Sequence, residues 1–76
     1  MTTTTIQLAT FADVQKFVNI ITKFAFDIDL VSGRYIVDAK SIMGIYSLDL
    51  NQEIELRAHT EDAEELFAQI DQYIKK

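Results

Sequence analysis

The residues able to do chemistry are few. His59 is the only histidine, and Arg57 stands two positions before it. In an extended segment that spacing places both side chains on one face. A lone imidazole without thiolates is a poor metal-ligand set, so no metal centre is expected. The ordinary reading of His59 is a strand-end surface histidine. The other chemically suggestive stretch is Lys40-Ser41-Ile42-Met43-Gly44-Ile45-Tyr46-Ser47-Leu48. Here Ser41 stands where a short helix would begin, able to accept a hydrogen bond from an unpaired N–H of the first turn. Ile45 and Leu48, three apart, are predicted to face inward, leaving Ile42, Met43 and Tyr46 as an apolar rim. Asp27, Asp29, Glu53 and Glu55 suggest an acidic cluster, but their alternation with apolar residues makes them one solvated strand face.

Composition narrows the classes. The chain has 76 residues, 49% of them hydrophobic and 25% charged, which predicts a single domain over 1–76. A core of that size supplies roughly 3–5 kcal/mol, so packing must be tight. There is no cysteine, hence no disulfide and no thiolate nucleophile. A net charge of −5 with seven basic residues argues against nucleic acid and favours a protein partner with a basic surface. Apolar runs are too short to span a bilayer, and no leader pattern opens the chain, so a cytoplasmic protein is expected.

The elements that must position these residues can be read in order. Residues 3–9 alternate as a strand. Thr10 to Asp13 fits a capping box opening a helix to about residue 24, with Val14, Phe17, Val18, Ile21 and Ala25 on its apolar face. Residues 27–31 form a second strand, Ser32-Gly33 a hairpin turn, and residues 34–38 a third strand. The Ser41 helix follows, then a polar turn at 49–52 and a strand over 53–58 with Ile54, Leu56 and Ala58 inward. Thr60-Glu61-Asp62 opens a last helix with Ala63, Leu66, Phe67, Ile70 and Ile74 inward, its acidic start and its Lys75-Lys76 end complementing the helix dipole. The order βαββαβα predicts an α+β fold, a four-stranded antiparallel sheet with three helices on one face. A ferredoxin-like βαββαβ module is the fold-level alternative.

With that order and the Lys-Ser-Ile-Met-Gly-x-x-Ser-Leu run at 40–48, the chain resembles the HPr family across its length. These are histidine-containing phosphocarriers of the bacterial sugar phosphotransferase system, with an open-faced β-sandwich fold. The family carries its phosphoryl group on a histidine after the first strand, followed by arginine and proline. Residues 9–14 here read Ala-Thr-Phe-Ala-Asp-Val and hold none of the three. An unactivated Thr10 is a poor phosphoryl acceptor, and Asp13 adds repulsion. The resemblance therefore implies a binding or regulatory module that transfers no phosphoryl group, with no catalytic residue and no cofactor. It implies regulatory phosphorylation at Ser41, where Lys40 could add positive charge. A plain helix cap remains the simpler role. It also implies docking through Phe11, Lys40, Ile42, Met43 and Tyr46 onto phosphotransferase-system proteins or a transcriptional regulator. Two alternatives stand beside it: a phosphocarrier using His59, and a structural module forming a weak homodimer.

Overall fold

The computed structural model describes residues 1–75. In chain order it contains β1 (Thr2–Ile6), α1 (Phe11–Ile21), β2 (Ile28–Ser32), β3 (Tyr35–Asp38), α2 (Ile42–Tyr46), β4 (Ile54–Ala58), α3 (Glu64–Gln69) and a 3-10 turn, Asp71–Tyr73. The strands form one antiparallel sheet in the order β1-β4-β2-β3. This is the expected α+β open-faced sandwich.

Strand alternation builds the core. Register sets Ile6 against Ile54, Leu56 against Leu30, and Ala58 against Ile28, so one sheet face is a continuous apolar floor. Val14, Phe17 and Ile21 of α1, Ile45 of α2 and Leu66 of α3 are buried over it. Each large side chain removed from water there contributes about 1.5–3 kcal/mol before entropy is counted. The β2–β3 turn lies one residue later than expected: Ser32 pairs with Tyr35, leaving Gly33 and Arg34 at its centre. Gly33 takes φ +59, and no other described residue has a positive φ. Positive φ at the first central position alone is the II′ pattern, which glycine adopts without strain.

Two element ends differ from expectation. β1 stops at Ile6 because β4 begins opposite it at Ile54; Leu8 is buried beyond the strand. α1 ends at Ile21 rather than near residue 24. Lys23 and Phe24 donate to carbonyls three residues back, which tightens and ends the helix. Phe24 then turns toward the core and stacks on Phe26 at 5.6 Å, while Ala25 is exposed and outside the helix.

The largest difference is the last helix. It starts at Glu64, because Thr60 and Asp62 fold into a turn in which the Thr60 hydroxyl accepts from Asp62 N–H (3.3 Å) and the Asp62 carboxylate from Glu64 N–H (3.1 Å). It ends at Gln69, and Ile74 then bridges Ile6 as a strand residue. Gln7 N–H donates to the Tyr73 carbonyl and Lys75 N–H to the Thr5 carbonyl, each at 2.8 Å. The free edge of β1 outcompetes a helix too short to stand alone. The Lys75 end of the expected helix is thus extended chain, and Lys76 lies outside the described residues.

Tyr73 closes this end of the core, edge-on to Phe17 at 5.9 Å. Its hydroxyl is buried and makes no hydrogen bond among the described residues. Burial, and secondarily Asp13, push its ionisation above the ordinary tyrosine range. The folded state therefore favours the neutral phenol, and stability falls as pH rises past about 10, where the unfolded chain ionises first. Tyr73→Phe removes the unpartnered hydroxyl. It should raise stability by about 1 kcal/mol, roughly 4–8 °C in Tm, and flatten that alkaline loss, as thermal melts followed by circular dichroism at neutral and alkaline pH would show.

Candidate functional site

The start of α1 is closed by its own side chains. Thr10 is the N-cap, and its hydroxyl accepts from Asp13 N–H at 3.1 Å. The Asp13 carboxylate accepts in return from Thr10 N–H (3.2 Å) and Ala9 N–H (3.1 Å). The donors just before the helix, Ala9 and Thr10 N–H, are thus held by a fixed negative charge that also lies where an incoming anion would approach. Phe11, the first helical residue, is 69% exposed. Its ring meets Tyr46 edge-to-face at 5.1 Å, a geometry that aromatic quadrupoles favour. The start of α1 and the end of α2 are thereby joined.

α2 is capped as expected, the Ser41 hydroxyl accepting from Gly44 N–H at 3.2 Å. Gly44 lets the helix lie close on β3, since a Cβ there would stand 3.3 Å from the Val37 Cβ. Ile45 and Leu48 point inward. Of the rim, Met43 is 74% and Tyr46 36% exposed, whereas Ile42 is half-buried against the core. The exposed surface is therefore Phe11, Tyr46 and Met43 rather than the whole expected set. Beside the Phe11–Tyr46 pair lies a groove of about 490 Å³, lined further by Ala9, Thr10, Leu48, Leu50 and Asn51. Leu50 was not among the expected site residues, although an apolar residue inside the polar 49–52 turn was a signal for it.

Lys40 is a correction. Its ammonium does not stand by the Ser41 hydroxyl as a counter-charge. Nζ donates to the carbonyls of Phe24 (2.6 Å) and Phe26 (2.9 Å), pinning the α1–β2 connection to the approach of α2. The Lys40 side chain is half-buried by this arrangement. Beside it the Asp38 carboxylate accepts from Lys40 N–H at 2.9 Å, so an acid, not a free base, neighbours Ser41.

His59 lies apart from this surface, on the uncovered side of the sheet. Its Nε2 stands 2.7 Å from the Asp29 carboxylate. Arg57, which the His59 alternative would need as a partner, forms two bonds to Glu55, at 3.1 and 3.3 Å. The hydrogen bond and charge of Glu55 raise the arginine further into its ionised range. Glu53 approaches Lys75 at 3.9 Å. Three of the four acids, Asp29, Glu53 and Glu55, are thus drawn into separate pairs. Among the described residues no group of three or more His, Asp or Glu side chains could hold a metal ion, and no helix is long and apolar enough to cross a membrane.

Comparison with known proteins agrees with the fold. The family model described as the PTS HPr component phosphorylation site matches residues 13–76. Among solved structures, the crystal structure of HPr-C-His from Thermoanaerobacter tengcongensis has a TM-score of 0.78 and 32% identity, covering 95% of this chain and 89% of that one. A phosphocarrier protein HPr from Bacillus anthracis str. Ames has a TM-score of 0.77 and 27% identity, covering 97% of this chain and 96% of that one. No curated protein matches the sequence.

The Lys40 bridge has a measurable consequence. Lys40→Met keeps the aliphatic stem but leaves two carbonyls without their charged donor. Loss of charged hydrogen bonds of this kind should cost about 1.5 kcal/mol, roughly 6–12 °C in Tm for a domain of this size. A melt unchanged from wild type would show that the bridge contributes nothing.

Proposed function

We propose a docking role for this chain, which belongs to the HPr family, the phosphocarrier proteins of the phosphoenolpyruvate-dependent sugar phosphotransferase system. In this reading it binds a protein partner through Phe11, Tyr46 and Met43 and passes on no phosphoryl group. The observation that carries the proposal is the start of α1. Thr10 and Asp13 satisfy each other's backbone there, and a protruding phenylalanine replaces any nucleophile. Phosphoryl transfer needs an activated nucleophile and donors aimed at the developing charge. No histidine stands at this helix start, and the Asp13 carboxylate there repels a developing negative charge, which works against both.

Docking needs other things, and they are present. Binding energy concentrates in a few aromatic and flexible apolar side chains held at a well-packed centre. Phe11 and Tyr46 brace one another, and Met43 extends the surface along α2. The partner is a phosphotransferase-system protein or a transcriptional regulator. It would present an apolar hollow with a basic rim, matching a chain of net charge −5. Ser41, one turn from the edge of this surface, is its control point. A phosphate there would add a charge of about −1.5 to −2 beside Met43 and weaken insertion into an apolar hollow. Lys40 remains behind the helix as its anchor and does not touch the partner.

Incubation with phosphoenolpyruvate and Enzyme I, followed by intact-mass analysis, should leave the chain unphosphorylated. An acid-labile phosphate on His59 would overturn the proposal in favour of a relocated phosphocarrier. Titration against purified Enzyme I, sugar-permease domains and regulators should find a partner that perturbs the amides of Phe11, Met43 and Tyr46. Phe11→Ala with Met43→Ala should weaken that partner at least about tenfold, or 1.4 kcal/mol, while His59→Ala leaves it unchanged.

A further inference from the structure

The chain treats the two edges of its sheet differently. The β1 edge is bridged by the C-terminal segment through Tyr73 and Lys75. The opposite edge, β3, pairs with β2 alone. Because Ser32 and Tyr35 close a two-residue turn, they form a hydrogen-bonded pair, and the same parity makes Ala39 N–H donate to the Ile28 carbonyl at 2.9 Å. The backbone groups of Tyr35 and Val37 therefore face β2, and those of Ile36 and the N–H of Asp38 face the open edge, while the Asp38 carbonyl accepts from Ser41 N–H at 3.0 Å. Such an edge is a template for another strand. β3 carries neither proline nor lysine to blunt it, and Tyr35 and Ile36 are 66% and 62% exposed.

We propose that β3 is a self-pairing edge. A second copy of this chain adds to it antiparallel, about a two-fold axis at Ile36, joining two four-stranded sheets into one. Charge complementarity selects both the occupant and the register. With the axis at Ile36, Arg34 lies opposite the second copy's Asp38, and the reverse pair forms by symmetry. An axis at Asp38 would set that carboxylate against itself, and one at Val37 would set it against isoleucine. Such a counter-charge suits Asp38, whose carboxylate accepts only from Lys40 N–H among the described residues and lies across the strand from Asp29, since like charges directly opposite are unfavourable. The cations on that sheet face are engaged, His59 with Asp29 and Arg57 with Glu55. Arg34 is exposed and makes no ion pair among the described residues. Ile36 lies opposite Val31, so the axis also lines up an apolar row of Val31 and Ile36 from both copies.

Sedimentation of the full chain up to about 1 mM tests this, with amide hydrogen exchange as a second readout. Wild type should show a concentration-dependent dimer, with protection rising at the N–H groups of Ile36 and Asp38. Ile36→Lys, on an exposed site outside the core, should weaken the dimer at least about tenfold without lowering the melting temperature. Arg34→Asp and Asp38→Arg should each be monomeric alone and form a heterodimer when mixed, since both cross-axis pairs are then attractive again. A wild type monomeric throughout the range would overturn the proposal. So would a dimer that Ile36→Lys leaves intact, or one protected at Phe11 and Met43 instead.

Discussion

The side chains of Ile28, Leu30, Ile54, Leu56 and Ala58 form an apolar floor that must be covered, and the helices available to cover it are short. α1 has eleven residues, α2 five and α3 six, each below the roughly 12–15 at which an isolated helix holds in water. None exists by propensity alone. Each is stabilised where an inward residue, such as Phe17, Ile45 or Leu66, meets the floor, and each is held at its ends by local polar contacts. The Thr10–Asp13 box fixes the start of α1, Ser41 fixes the start of α2, and Lys40 ties the two connecting segments together from behind. Cover and floor are therefore one cooperative unit, which is what a domain with so small a core requires.

That dependence shapes the candidate site. Because α1 and α2 must both lie on the same floor, the start of one and the end of the other are brought together, and Phe11 reaches Tyr46. The geometry that could orient a reactive group at the start of α1 serves equally to hold an aromatic pair rigid. What differs is the electrostatics. An anion-receptive helix start favours negative charge from outside, and here the Asp13 carboxylate already lies at that end, on the N–H groups of Ala9 and Thr10. The fold is that of the HPr family, and the residues at this helix start, Thr10, Phe11 and Asp13, rather than the architecture, are where its function has to be argued.

The sequence exposed whatever depends on local spacing. Strand alternation at 54–58, the capping box at Thr10 and Asp13, the Ser41 cap and the inward pair Ile45 and Leu48 all follow from periods of two or of three to four residues. What it hid depends on partners distant along the chain. The acceptors of Lys40 are 14 and 16 residues away, and His59 meets an acid 30 residues away. With no local mark for these, the positive charge of Lys40 was assigned to its neighbour Ser41, and Arg57 to His59. Ile42 was misplaced for a different reason: in a five-residue helix, one residue of tilt moves a flanking side chain between rim and core.

The last helix shows the same conflict at the scale of an element. Its apolar spacing through Ile74 was genuine: Ala63, Leu66 and Ile70 are buried, and Phe67 and Ile74 pack against the core. Helical period and burial do not by themselves fix backbone conformation, however, when an unpaired strand edge lies within reach. Continuing the helix would have satisfied the same amides within the segment but left β1 open. Turning extended at Ile74 satisfies both at once. The sheet thus removes one of its two edges at the expense of a turn of helix, while β3 pairs with β2 alone and, among the described residues, has no strand segment bridging its outer edge. An overall charge of −5 discourages indiscriminate association, so whatever meets that edge must bring local complementarity to Arg34 and Asp38. The chain itself carries both.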